Sequence, residues 1–298
     1  MTKLIVGCGY LGTRVARAWL VEGHPVFALT RSSERAELLR QACITPVVAD
    51  VTDPNVHLCL PVVETVLYSV GFDRSGRTRA GGEPLFNASR HNVQVVGLQR
   101  VLDAISSATR RIIYISSTGV YAQRDGGWVN EESSATAEHD SGAACLEAEA
   151  TLASHTLASR AVILRLAALY GAGRLPRLAD LLAGKPLAGA GDAYLNLIQA
   201  DDAVAVILAA ERAAEPSPRY CVSDGHPVQR GKFYAELARL TNAPVPRFAT
   251  PDGCVAGMSR SNSDKRVSNA RMLNELRVRL RYPTYREGLA AAVATGTP

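Results

Sequence analysis

The chain has 298 residues, 47% of them hydrophobic, enough for one large core or two modest ones. Its formal charge of +5 is spread along the sequence rather than gathered into a tail or stripe, which argues against a nucleic-acid partner and leaves an anionic small molecule compatible. No apolar stretch reaches the roughly 18 residues of a membrane helix and no signal-like segment precedes the first strand, so the expectation is a cytoplasmic protein without a membrane partner; six scattered cysteines without Cys-x-x-Cys or Cys/His spacing predict reduced thiols and no metal.

In chain order, an apolar strand from Lys3 runs straight into Gly7-Cys8-Gly9-Tyr10-Leu11-Gly12 and then a helix to Val21. In Gly-x-Gly-x-x-Gly between strand and helix, the first glycine makes the turn and the second lets the backbone approach a pyrophosphate. The third lets helix pack on strand. A second strand, Pro25 to Thr30, ends at Arg31-Ser32-Ser33 before a helix from Glu34 to Gln41. A carboxylate at that strand end would accept from an adenosine 2'-hydroxyl, whereas an arginine pairs with a 2'-phosphate. Arg31, with Thr30 and Ser32 as extra donors, therefore favours NADP, with NAD left open and a solvated surface arginine as the alternative. A third strand, Thr45 to Ala49, ends at Asp50-Val51, where Asp50 either reaches the adenine edge or caps a helix.

The fourth strand, Thr65 to Val70, ends at Gly71, so Val70 and Gly71 fall at the crevice beside the switch point of a doubly wound sheet. Beyond them Arg74, Arg77 and Arg79 either meet an anionic substrate or cofactor phosphates or form a solvated loop. A long helix is predicted over 85–106. The fifth strand, Arg111 to Ile115, leads into Ser116-Ser117-Thr118-Gly119-Val120-Tyr121, whose hydroxyls suit a substrate oxygen. A helix from about Ser141 to Leu157 and a strand Ala161 to Leu166 follow. The spacing then predicts a short helix over 174–187, a strand over 194–199, a helix over 201–211, a strand over 219–223 and a helix over 230–240. The resulting class is α/β, a doubly wound parallel sheet of Rossmann type over 1–172. A smaller substrate-binding region covers 173–298, with 196–222 free to pack back on the first domain.

The glycine motif, Ser116 to Tyr121, Leu164-Arg165-Leu166 through Tyr170-Gly171, and Asp201-Asp202-Ala203 together resemble the extended short-chain dehydrogenase/reductase superfamily, NAD-dependent epimerase/dehydratase type, in its atypical YeeZ-like branch. The resemblance implies catalysis by a Ser, an Asn and a Tyr-x-x-x-Lys pair, the Lys lowering the Tyr pKa so that it can pass a proton while hydride moves. In that register Ser117 stands at the Ser and Gln94 near the Asn, with Asn92 close by. Ser141 stands at the Tyr and Cys145 at the Lys. The chain holds no lysine between Lys3 and Lys185, no tyrosine between Tyr121 and Tyr170, and no tyrosine with a lysine four residues on. Other candidate acids are Tyr121 first, then Tyr68, His139, Asp140 and Tyr170. The resemblance also implies that Lys265 and Arg266 contact a small anionic substrate, with solvated surface charge as the alternative; Thr118 among the strand-end hydroxyls and Arg74 in the crevice loop are further candidates for that contact. It further implies homodimers paired through the helices near 85–106 and 142–158. Two functions fit: an NADP-dependent oxidoreductase or epimerase-like enzyme with a non-standard proton donor acting on a small or sugar-like anion, or a catalytically silent NADP-binding sensor with no substrate.

Overall fold

A computed structural model of the chain describes residues 1–71, 89–249 and 263–296. In order, its elements are β1 (Lys3–Val6), α1 (Tyr10–Val21), β2 (Val26–Thr30), α2 (Ser33–Gln41), β3 (Thr45–Val48), β4 (Thr65–Tyr68), α3 (Gly97–Ala104), β5 (Arg111–Ser117), β6 (Trp128–Val129), α4 (Asp140–Ser154) and β7 (Ala161–Leu166). They continue with β8 (Ala168–Tyr170), α5 (Leu178–Leu182), β9 (Tyr194–Leu195), β10 (Leu197–Gln199), α6 (Ala200–Arg212), β11 (Arg219–Val222), β12 (Val228–Gln229), α7 (Arg230–Thr241), β13 (Arg266–Val267), α8 (Ala270–Leu276) and α9 (Tyr285–Gly296).

Seven strands form one sheet in the order β11-β7-β5-β4-β1-β2-β3. The pairs from β3 to β5 are all parallel, as expected of short apolar strands joined by helical crossovers. Strand order reverses between β1 and β4, which places a crevice at their carboxyl ends. The chain divides into two compact units. The first comprises Met1–Ser116, Asp140–Leu164 and Ile207–Arg219, and the second comprises Ser117–His139, Arg165–Val206 and Tyr220–Pro298. In the first unit α1 buries Leu11, Val15, Ala16 and Trp19, one face at helical spacing, while Leu4, Val6, Tyr68, Leu98, Ile112 and Leu152 share a core. The second unit has its own core around Tyr170, Leu197, Phe233, Leu237 and Leu289.

Three predicted elements differ in detail. The helix over 85–106 is a π-turn over Asn92–Val96 followed by α3, with its residues 85–88 outside the described segments. The Gly97 N–H bonds five residues back to the Asn92 carbonyl, and the buried Tyr68 hydroxyl donates to the Val93 carbonyl at 2.9 Å, satisfying a backbone group that the wider turn frees. The helix over 174–187 shrinks to the five residues of α5, because Arg177 before it is left-handed (φ 55°) and Gly184 after it is too (φ 62°). The strand over 194–199 splits at Asn196, whose side chain donates to the Lys265 carbonyl at 2.9 Å and accepts from the Val267 N–H at 2.7 Å. β9 then pairs with β12 and β10 with β8.

At the start of β1, Lys3 is only 1% exposed and forms an ion pair with Glu211. Both oxygens of Glu211 are used: Thr65 Oγ1 donates to one at 2.7 Å and Trp19 Nε1 to the other at 2.7 Å. Removing one member of such a buried pair strands the other charge without water or partner. Glu211→Ala should therefore lower the unfolding free energy by about 3 kcal/mol in urea titrations. Lys3→Met combined with Glu211→Leu should recover most of that loss, and equal losses in the single and double variants would show that the charges do not act as a pair.

Candidate functional site

Each glycine of the motif meets a different physical demand. Gly7 has φ +91°, and a Cβ there would lie 2.7 Å from the backbone of Ser69 and Val70, so only glycine allows β1 to turn against the end of β4. The Ser69 hydroxyl donates to the Gly7 carbonyl at 2.9 Å and fixes that turn. A Cβ on Gly12 would lie 2.8 Å from the Gly7 carbonyl, which sets the close packing of α1 on β1. Gly9 is the contrast: a Cβ would meet nothing within 4 Å, and the residue heads α1 without any side-chain cap. An exposed, uncapped helix N-terminus beside open space is the shape that holds a pyrophosphate, so the residues present fit a bound dinucleotide. Tyr10 begins α1 beneath the Arg14 guanidinium, 3.8 Å from its ring, and Leu11 is buried.

At the end of β2, Arg31 is exposed, Thr30 Oγ1 accepts from the Ser32 N–H at 3.4 Å, and Ser32 Oγ caps α2 by accepting from the Arg35 N–H at 3.1 Å. Arg35 is a further residue of this turn that was not singled out from the sequence. Its Nη2 donates to the Cys8 carbonyl and to Thr13 Oγ1, both at 3.1 Å, tying α2 to the glycine turn. The available signal was an arginine in the first turn of a helix, where the macrodipole disfavours a cation unless another group holds it. Asp50 spends Oδ1 on the N–H and hydroxyl of Thr52, both at 2.8 Å, forming a turn rather than a helix cap, since the next helical turn begins at Val56. Val51 is buried against Gly97, Val70 is half-buried and Gly71 exposed. Ser116 is buried and donates to Glu149 Oε1 at 2.6 Å, so its hydroxyl is committed within α4 rather than held toward a ligand. Cys145, at the Lys position, is buried next to the Tyr114 phenol, which burial and then Cys145 push well above its ordinary range.

In the second unit, Ser117 Oγ accepts from the Gly119 N–H at 3.0 Å and starts a short turn that buries Thr118. Tyr121, expected as the leading acid, is fully engaged. Its hydroxyl donates to the Asn130 carbonyl at 2.7 Å, receives Arg165 Nη1 at 2.8 Å and lies 3.1 Å from Cys221 Sγ. Burial pushes its phenol up, against the pull of Arg165, so the geometry fits an anchor for the buried arginine. Burial likewise pushes Tyr68 and Tyr170 up, the opposite of what proton transfer near neutrality needs. Asp140 opens α4, and His139 Nδ1 is buried without a hydrogen-bond partner. Lys265, 4% exposed, donates to the Tyr121 carbonyl at 2.8 Å and to Ser263 Oγ at 2.7 Å, and burial draws its ammonium down to about 8 against Glu138. Arg266 donates through Nε to the Gly126 carbonyl at 2.6 Å and lies 5.2 Å from both the Trp128 and Tyr194 rings. Arg74, with Arg77 and Arg79, lies outside the described residues. Among the described residues no cluster of His, Cys, Asp and Glu could hold a metal, and no helix is long and apolar enough to cross a membrane.

These roles separate by experiment. Gly7→Ala should destabilise the fold, whereas Gly9→Ala should leave the thermal midpoint unchanged yet weaken dinucleotide binding about tenfold by filling the open space. Equal stability losses in the two variants would reject the distinction. The sequence is 25% identical over 266 residues, 84% of this chain and 74% of the other, to the chloroplastic epimerase family protein SDR39U1 homolog of Arabidopsis thaliana. The structure of a putative NAD-dependent epimerase/dehydratase from Methylobacillus flagellatus superposes with TM-score 0.73 at 30% identity, covering 98% of this chain and 97% of that one. That of MoeE5 with UDP-glucose and NAD superposes at 0.76 with 21% identity, covering 99% and 98%, a likeness of fold. With the NAD dependent epimerase/dehydratase family matched over residues 4–222, on a sheet of that order and a glycine turn of that geometry, the chain belongs to that family.

Proposed function

We propose that this chain is an NADP-binding member of the family that acts on a small or sugar-like anion with a proton donor other than the family's tyrosine. The observation that carries the cofactor preference is the end of β2, where exposed Arg31 stands at the ribose position in place of a carboxylate. When bound, the nicotinamide supplies the hydride donor or acceptor. The chain's own work is to cradle the pyrophosphate on the N-terminus of α1, to pair Arg31 with the 2'-phosphate, and to hold the glycine turn through Arg35. Ser117 keeps its hydroxyl proton for a substrate oxygen while its lone pair serves the Gly119 N–H. The alternative, a silent NADP sensor, draws on the tyrosines: Tyr68, Tyr121 and Tyr170 are all buried with phenols pushed up, and Cys145 brings no fixed positive charge to the lysine position. Oxidation of NADPH with any member of a panel of carbonyl compounds decides for the enzyme, and tight binding without turnover across the panel decides for the sensor.

Arg31→Asp should weaken NADPH binding about tenfold or more and leave NADH little changed. Arg35→Ala, which loosens the turn itself, should weaken both. Equal loss of both cofactors in Arg31→Asp would refute the 2'-phosphate role. Ser117→Ala should lower any turnover about tenfold or more without changing cofactor affinity, and an unchanged rate removes Ser117 from the chemistry.

A further inference from the structure

The second unit holds a cleft of about 720 Å³ that shares no lining residue with the Tyr121 and Lys265 cluster. Its walls include Leu273 and Val278, and its polar groups are Asp224, His226, Arg279 and Arg281. Asp224 follows β11 on a rigid turn: its N–H bonds to the Leu197 carbonyl at 2.8 Å, and its Oδ1 accepts from the His226 N–H at 2.9 Å. Gly225 (φ +77°) leaves no room for a Cβ against Asn269. Asp224 is 4% exposed, yet its Oδ2 has no hydrogen-bond partner, an arrangement that costs free energy unless a donor arrives from elsewhere. Opposite charges line the same cleft, since Arg279 and Arg281 are exposed there, Arg281 lying 5.3 Å from the Tyr282 ring and pulling Asp202 down against the burial that raises it. Their segment is itself fixed, because the N–H groups of Arg281 and Tyr282 bond to Asp202 at 2.7 and 3.0 Å.

We propose that this cleft binds a small hydroxylated oxyanion, a sugar acid or sugar phosphate, with Arg279 and Arg281 holding the charged group and Asp224 taking a hydroxyl. The cleft volume lies within the range of small-molecule sites, and planar guanidinium forks suit carboxylate and phosphate alike. An unpartnered carboxyl oxygen selects a hydroxyl over a bare anion. Burial pushes the Asp224 carboxyl up to about 7, so near neutrality it can stand as an uncharged acid beside the arginines' ligand. The other titratable groups about it are His226 on the same turn, Asp202 on α6, and Tyr170, which also senses Tyr282 and Glu287. Its occupancy does not depend on NADP preference.

The test titrates the full chain calorimetrically with glucose 6-phosphate, glucuronate and inorganic phosphate at pH 6 and pH 8. At least one sugar anion should bind saturably and more tightly than inorganic phosphate, the tighter one naming the charged group. Arg279→Ala with Arg281→Ala should weaken it about tenfold or more, while Arg17→Ala, an exposed arginine on α1, leaves it unchanged. Wild-type affinity for glucuronate, whose own charge is constant over this range, should fall from pH 6 to pH 8 as Asp224 ionises, and Asp224→Asn should flatten that dependence. No saturable binding of either sugar anion overturns the proposal, as does inorganic phosphate binding equally well. Binding that survives loss of both arginines but disappears in Lys265→Met also overturns it, because the anion then sits on the other cluster.

Discussion

Gly7 leaves no space for even one carbon between itself and the backbone of Ser69 and Val70, 2.7 Å from where a Cβ would lie. That contact fixes how the end of β1 meets the end of β4, at the place where strand order reverses. Once the turn is forced, Gly12 must pack on the Gly7 carbonyl, α1 must start at Tyr10, and its N-terminus must face the crevice. Two of the three glycines are thus required by packing alone. They would be needed whether or not any ligand bound. Gly9 carries the functional information, because no neighbour explains the absence of its side chain.

The catalytic side of the fold is built on different terms. α4 turns Gly142, Ala144, Cys145, Ala148, Glu149 and Leu152 inward, a surface of small residues with one carboxylate, which the Ser116 hydroxyl satisfies at 2.6 Å. A lysine at position 145 would need space, and there the Tyr114 phenol already lies against the Cys145 thiol. Nor would a lysine alone restore the family's proton transfer, since Ser141 offers an aliphatic hydroxyl where a tuned phenol is required. The glycine turn and α4 thus answer to different demands, close backbone packing in the first and small buried side chains around one carboxylate in the second.

The order of elements was legible because short apolar strands, glycine turns and amphipathic helices are local signals. The parallel sheet and the roles of Gly7, Gly9 and Gly12 follow from them. The place of Arg31 just past the end of β2 was legible in the same way. What escaped were contacts across long sequence separation. Arg35 reaching back to the Cys8 carbonyl, Glu211 receiving Lys3, Thr65 and Trp19, and Asn196 splitting a strand to hold the 265–267 segment depend on packing that no periodicity encodes. Tyr121 looked available because its position is next to a strand end, yet Arg165, Asn130 and Cys221 converge on its hydroxyl from remote parts of the chain.

Lys265 is a further case of such convergence. Its folded pKa, about 8, lies below the ordinary lysine value of 10.5, and the cause is burial. For a depressed cation, stability is highest when the group is neutral and is lost as pH falls through the folded value, so at neutral pH this ammonium is a net burden on the fold. Its hydrogen bonds to the Tyr121 carbonyl and Ser263 Oγ offset part of that cost, and an uncharged donor could make them as well. A methionine could make neither bond and would leave the Tyr121 carbonyl without its donor. Arg266 is held differently, its guanidinium 5.2 Å from both the Trp128 and Tyr194 rings and bonded through Nε to the Gly126 carbonyl.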